Sequence, residues 1–430
     1  MTKEPLFKTL TNSKYYPWVV WGLGALFFCV EYFARLAPSV MVPDLMRAFN
    51  VDALGIGILS GWFYVAYLGM QLPVGMLVDR FSPSKLLAFA AIISGISCFL
   101  LATADHLWVA SLSRFLIGFG GAFAFVGTLK LATIWFCSKR FGLLAGTTQA
   151  LGMLGAAGGE GPLAVLVTAI GWRDTMICIG SALTIVAFLI LTLVKEKIGQ
   201  STIINRAQKL SSLKEIKEGL IEVLKNKQTW VISIIGGLLF SPTATFGELW
   251  GVTFLEHVQN LNHHSAAAAV SMIFIGWTIG GPLSGWFSDR IGKRKPGVFI
   301  SCIGSLLTLT TVLYCPNLPT PIIFILLFLY GIMNTGVVNI YALSGEINRQ
   351  SIAGISMSFI NMSSVLLGFL FQPLVGYILN SNWEGLIINN IKVYSAYSYK
   401  LSMAILPVCV ILAFFISFFI KETYCKRICS

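Results

Sequence analysis

Apolar runs of roughly 20 residues recur from one end of the chain to the other, each long enough to cross a hydrocarbon core of about 30 Å as a helix. Short polar clusters separate them. Breaking the chain at these clusters predicts helices at 17–42, 53–78, 84–104, 107–131, 141–167 and 174–194, then at 229–255, 265–287, 297–315, 321–343, 352–380 and 399–420. One long polar stretch, Lys195 to Gln228, divides the series into two sets of six. Within it Leu210, Leu213, Leu220 and Leu224 alternate with Lys214, Glu215, Lys217, Glu218, Glu222 and Lys225 in a helical rhythm. This predicts an amphipathic helix on the membrane surface, with a docking site for a soluble partner as the alternative. The expected domains are a six-helix bundle over 1–194, a cytoplasmic linker over 195–228 and a second bundle over 229–430. The first apolar run, Trp18 to Val42, is longer than a signal-peptide core, lacks a small-residue cleavage site and is followed by more spans, so it reads as a retained helix.

Composition narrows the class further. The chain is 56% hydrophobic and 11% charged, with a mean hydropathy of +0.80, against roughly a quarter charged residues in soluble proteins. The spans leave no room for a sizeable soluble domain, and a soluble enzyme is excluded. A net charge of +12 would suggest nucleic acid in a soluble protein, but the basic residues fall in alternate loops. One side takes Lys3, Lys8, Lys14, Arg80, Lys85, Lys139, Arg140, the basic residues between 195 and 227, Arg290, Lys293, Arg294, Lys295, Arg349 and the tail; the other keeps Arg47, Arg173, Lys392 and Lys400. This asymmetry predicts a multi-pass protein with both termini cytoplasmic. The nine cysteines are scattered without a CxxC pair, which indicates neither a disulfide framework nor a zinc site. His263 and His264 sit in a polar loop and read as a solvated face.

The two sets of helices repeat. Gly75-Met-Leu-Val-Asp79-Arg80 after the second span is matched by Gly285-Trp-Phe-Ser-Asp289-Arg290 after the eighth, and symmetry of this kind places a substrate cavity where two rocking halves meet. These loops, with Gly292 and Lys293 completing the second, resemble the signature of the major facilitator superfamily. The first copy departs after Arg80, where Phe81-Ser-Pro-Ser-Lys85 replaces the usual glycine and basic residues. Arg114-Phe-Leu-Ile-Gly118-Phe-Gly120 in the fourth span and Gly171-Trp172-Arg173 after the fifth add to the resemblance, which covers essentially the whole chain. It implies an all-α integral membrane fold, twelve transmembrane helices in two pseudo-symmetric bundles, working as a monomer in a bacterial inner membrane. At finer resolution Glu31 to Ser39, Phe123 to Phe136 and Lys421 to Cys425 look like the phagosomal transporter branch of intracellular gammaproteobacteria, which is associated with uptake of amino acids and, in related members, of siderophores.

An ionisable side chain inside hydrocarbon is costly, so each one is a functional candidate. Glu31 and Arg35 lie four apart on one face of the first helix, within pairing reach. The resemblance, which makes the first and fourth helices line the central cavity, brings Arg114 near them. One carboxylate between two guanidiniums leaves a positive surplus suited to a substrate carboxylate; in the alternative, Glu31 and Arg35 merely neutralise each other and Arg114 anchors a helix end. Lys130 is expected to snorkel. Glu31, Glu160 and Glu248 are the proton-coupling candidates, Glu248 because the seventh helix is the symmetry mate of the first and Pro242 can break it. Asn334, Asn339, Asn361 and Gln372 offer neutral hydrogen bonds, either to substrate or between helices. Asp79 with Arg80 and Asp289 with Arg290 are assigned to gating, or else only stabilise their loops. No GxxxxGK[ST] stretch is present, so nucleotide-driven pumping is unsupported, and no cofactor or metal is expected. The expectation is proton-coupled import of a small carboxylated nutrient, an amino acid or in a variant a siderophore. Proton-antiport export is the rival, disfavoured by Val165 and Leu166 standing where drug antiporters carry a glycine pair; a non-transporting receptor or scaffold belongs to another class.

Overall fold

The computed structural model describes residues 15–136, 140–194, 213–349, 352–388 and 391–426. Among them, twelve helices are long and apolar enough to cross a membrane, at nearly the positions the apolar runs predict. The first six are Tyr16–Phe49, Ala53–Arg80, Pro83–Ala102, Leu107–Trp135, a fifth span split into Phe141–Gly158 and Gly161–Ile170, and Trp172–Leu193. The second six begin with Lys227–Pro242, which continues through a π-helical segment, Thr243–Trp250, into Gly251–Val258. His263–Ile291, Lys295–Tyr314, a broken tenth span of Thr320–Asn334 and Val337–Ile347, Ala353–Ser381 and a twelfth span of Ala396–Met403 and Ile405–Ser417 complete the set.

Local chemistry sets the ends. Asn50 takes the left-handed conformation (φ 50°) that closes the first helix, and Asp52 accepts from the Gly55 amide to open the second. Prolines within spans leave carbonyls without their amide partner. The sequence reading ends the first helix at residue 42, but the helix runs through Pro38 and Pro43 to Phe49. Around Pro242, the stranded Leu238 carbonyl lies three residues from Ser241, whose hydroxyl donates to it at 3.0 Å. In the polar linker, Leu213–Lys225 is helical; 195–212, Leu210 included, lie outside the described residues. Gly219 of this helix sits against Ile352 and Ile355 at the start of the eleventh span, and Glu222 pairs with Arg349 at 3.3 Å.

Chain direction puts the linker helix, the start of the first span at Tyr16 and the end of the twelfth at Ser417 on one face of the molecule, here the linker face. The two halves meet mainly on the other. There Gly57 faces the Gln372 carbonyl and Pro373, and Gly376 faces Ala53, so closely that an added Cβ would lie 2.7 and 2.4 Å from backbone atoms. Between the fifth and eighth spans, the Gly161 amide donates to the Ser271 hydroxyl at 2.8 Å, and that hydroxyl donates to the Ala157 carbonyl at 2.9 Å. A loop with two short antiparallel strands, Ile387–Ile388 and Ile391–Lys392, adds the only β-structure among the described residues. Lys392 reaches Asp52 at 3.2 Å, and the Ala53 amide donates to the Tyr394 hydroxyl at 3.1 Å. The apolar core reflects this asymmetry. One cluster runs from the first half into the far ends of the second-half spans, whereas Ile232, Leu239, Val298, Leu343, Ile360 and Val410 form a separate cluster toward the linker face.

Candidate substrate and coupling site

Arg35 lies in the first helix, Tyr16–Phe49, about 28 Å along the axis from its linker-face end and about 21 Å from the other, three residues before Pro38. Its guanidinium is buried, 7% exposed, among the rings of Tyr32, Phe63, Tyr64 and Tyr67, at 5.2, 5.3, 5.6 and 5.7 Å from their centroids. Ring quadrupoles attract a cation, by about 2 kcal/mol or more where water is excluded. A full carboxylate completes the shell. Arg35 Nε donates to Glu248 Oε2 at 3.1 Å, and Nη2 donates to Oε1 and Oε2 at 2.8 and 2.9 Å. The Tyr64 hydroxyl also donates to Glu248 Oε2. Gln372 Nε2 donates in turn to the Tyr64 oxygen at 3.1 Å and to the Ala244 carbonyl at 2.8 Å. The first and second spans are thus joined to the seventh and eleventh by one buried polar network across the two halves.

This corrects the expected pairing. Arg35 is engaged by Glu248 rather than by Glu31, because its guanidinium reaches across to the seventh span, where it meets both oxygens of that carboxylate. Glu31, 1% exposed, points toward the fourth span, and its Oε1 has no partner. Gly121 makes room for it, since a Cβ there would lie 2.3 Å from that oxygen. With Glu248 included, two carboxylates meet two guanidiniums, and the expected positive surplus vanishes while both are ionised. Arg114 is not free to present its fork. Pro38 has no N–H to offer the Ala34 carbonyl four residues back; the Arg114 guanidinium donates to that carbonyl through Nη1 at 2.8 Å, and Nη2 donates to the Arg35 carbonyl at 3.0 Å. Only its Nε lacks a partner.

The remaining predicted residues separate into groups. Gln372 belongs to the Arg35–Glu248 network. Asn361 joins the halves on the linker side of it, donating to Gln71 at 3.0 Å and accepting from Tyr341 at 3.1 Å. Asn334 donates to the Leu239 carbonyl at 2.9 Å and accepts from Thr243 at 3.0 Å, and Asn339 donates to Ser284 at 3.0 Å; both bind helices within the second half. Glu160, fully buried in the break of the fifth span, accepts from Ser39 at 2.6 Å, and its Oε2 has no partner. Rather than standing in a purely solvated face, His263 is partly buried and lies 2.6 Å from Glu256.

At the linker face the Asp289–Arg290 pairing expected for gating gives way to another. Asp289 accepts from Arg294 at 2.7 Å, which also reaches Glu346 at 2.7 Å, while Arg290 lies over the Trp286 ring. Glu422 accepts from the Arg294 and Lys295 amides, both at 2.9 Å, and so caps the ninth span. Partial burial opposes its ionisation, yet these donors, with the Tyr424 and Thr423 amides, hold the carboxyl below its usual value. The side chains of Asp79 and Arg80 lie outside the described part of the structure.

Sequence reasoning missed Tyr32, Phe63, Tyr64, Tyr67 and Gln71. The signal lay in Phe63-Tyr64 and Tyr67, three aromatic residues on adjoining turns of one span, which hydropathy counts as ordinary apolar positions.

The model of the Major Facilitator Superfamily matches residues 24–373. Among curated proteins, the probable sulfoacetate transporter SauU of Cupriavidus necator is 21% identical, over 84% of this chain and 87% of that one. The membrane sensor protein UhpC of Escherichia coli is 23% identical, over 86% of this chain and 87% of its own. Among solved structures, a bacterial homologue of the human lysosomal transporter Spinster, in an inward-facing and occupied conformation, superposes with a TM-score of 0.77 at 17% identity, covering 95% of this chain and 97% of that one. With twelve candidate spans in two halves and buried charges where those halves meet, the chain belongs to the major facilitator superfamily and is a multi-pass secondary transporter of small molecules, not an enzyme.

Proposed function

We propose that the protein imports a small carboxylated solute across the bacterial inner membrane by proton-coupled alternating access, with amino acids as the first class to test. The observation that carries this reading is Arg35, held bidentately by a carboxylate inside an aromatic cage between the halves. An Arg fork in that position suits a carboxylate ligand, and the burial of Glu31, Glu160 and Glu248 provides acids that can carry protons. The name of SauU, a probable sulfoacetate transporter, supports an anionic cargo; the resemblance to the phagosomal branch supports an amino acid, with a siderophore as the variant. The excess of basic residues on the linker face supports a cytoplasmic placement of that face and of both termini. Because the halves meet on the opposite face, this conformation is then the inward-facing one. Asp289 with Arg294 and Glu346, and in the first half Asp79 with Arg80, are the groups we assign to latching the linker face when the molecule turns outward. Monomeric operation follows the resemblance.

Uptake of labelled amino acids and small carboxylates into proteoliposomes under an inward proton gradient tests the reading. We expect accumulation that an ionophore collapses and that Arg35→Ala reduces at least tenfold without loss of membrane insertion. Ligand binding without flux would favour a receptor, in line with the name of UhpC as a membrane sensor protein; flux that runs only outward against a proton gradient would favour antiport.

A further inference from the structure

We infer that Glu248 is an internal stand-in for the carboxylate of the substrate, occupying the seat that the substrate takes once Glu248 is protonated. This rests on the reading of the Arg35 site as the substrate site, and it names the headgroup that the seat selects. Glu248's bonds are those a free carboxylate would make: two nitrogens of Arg35 and the Tyr64 hydroxyl, the latter steadied by Gln372. These partners come from the first, second and eleventh spans, whereas Glu248 comes from the seventh. The groups that hold the carboxylate therefore come from other spans, with Gln372 also anchored to the seventh through the Ala244 carbonyl.

The backbone beneath Glu248 is suited to exchange. It lies in the π-helical segment Thr243–Trp250, a wide-turned irregularity that recurs at functional positions. The shape of the seat is selective as well. Both Glu248 oxygens are engaged by the planar guanidinium, and aromatic rings enclose that guanidinium. A sulfonate or phosphonate would carry a third oxygen toward apolar ring faces, where a polar atom without a hydrogen bond is costly. The seat thus prefers planar carboxylates to tetrahedral oxyanions.

Charge fixes the order of events. While Glu248 is ionised, a second carboxylate cannot share Arg35 without like-charge repulsion in a dry site. When a proton bonds to a Glu248 oxygen, Glu248 leaves the fork neutral and the substrate carboxylate takes its place, so the charge of the site is unchanged. One proton accompanies each carboxylate, and both depart by the reverse steps. The groups that face Glu248 are accounted for. Tyr32 and Arg35 on the first span and Tyr64 on the second surround the pair, with Tyr67 on the Arg35 side. Glu31 and Glu160 are the other buried carboxyls near enough to interact with it, and Arg114 is committed to backbone carbonyls.

The test is chemical rescue of purified Glu248→Gly, monitored by thermal unfolding. We expect the substitution to lower the midpoint, and formate or acetate at millimolar concentration to restore it saturably. Methanesulfonate and methylphosphonate at equal ionic strength should not, and at equal pH the unsubstituted protein should gain far less from formate or acetate than the variant does. The isosteric Glu248→Gln provides the second arm and covers the case in which the glycine variant does not fold. Acetate binding to Glu248→Gln should not vary between pH 5 and 8, whereas binding to the unsubstituted protein should tighten up to tenfold per unit fall in pH. Rescue by tetrahedral oxyanions as strong as by carboxylates, or equal pH dependence in the two proteins, would overturn the inference. Carboxylate transport without rescue would sink this inference alone, and rescue without any flux would sink only the transport reading.

Discussion

Arg114 has a role that its charge does not announce. It completes the backbone of another helix, replacing the amide that Pro38 lacks. Removing it strands a buried carbonyl, at a cost of about 1–3 kcal/mol. Pro38→Ala should return an amide to the same carbonyl, so the two substitutions ought to be non-additive. In a double-mutant cycle read by thermal unfolding we expect a coupling of about 1 kcal/mol or more; simple additivity would show that Arg114 acts elsewhere. The sequence marked Arg35, Arg114, Glu31 and Glu248 as costly charges, because hydrocarbon penalises ionised groups wherever they fall. It did not reveal who faces whom. Glu31 and Arg35 are neighbours by helical spacing, yet Arg35 pairs with a residue 213 positions away, which local spacing does not announce. The aromatic cage was hidden for a related reason, since tyrosines in a span are common and only their convergence on one cation distinguishes them.

At the scale of elements, spans were legible because backbone in lipid must satisfy itself within the segment. Interruptions were less so. The break at Glu160 in the fifth span and the π segment after Pro242 leave no mark in hydropathy, although Gly158-Gly-Glu-Gly-Pro162 and Pro242 showed where a helix could yield. The contact between the second and eleventh spans was likewise unreadable, since a glycine reports closeness without naming its neighbour. That contact can be tested. In Gly376→Val the added side chain meets the Ala53 backbone, and the closed face should be forced apart. We expect transport to be lost and a cysteine at Leu379, buried in the native arrangement, to react with a bulky thiol reagent at least tenfold faster. Unchanged labelling would mean that the interface yields without opening.

At the scale of the whole molecule, the two halves share one apolar core on one face and keep separate ones on the other. The pseudo-symmetry suggested by Asp79-Arg80 and Asp289-Arg290 is therefore broken by conformation, and the conformation was not written in the repeat. The strap from Asp52 to Lys392 is part of the closed face. It pairs partly exposed charges at 3.2 Å across the halves, and at that exposure it contributes at most about 1 kcal/mol, an approximately fivefold bias between open and closed. Dissolved ions screen such a pair over about 8 Å at physiological strength. The strap should therefore sense the saltiness of the one compartment it faces. In vesicles of uniform orientation, raising sodium chloride on the strap side should ease opening by up to about fivefold, and Lys392→Ala should abolish that response. On the orientation and direction of transport proposed above, a cell carrying this protein would feel the brine outside it as a change in the pace of its own uptake.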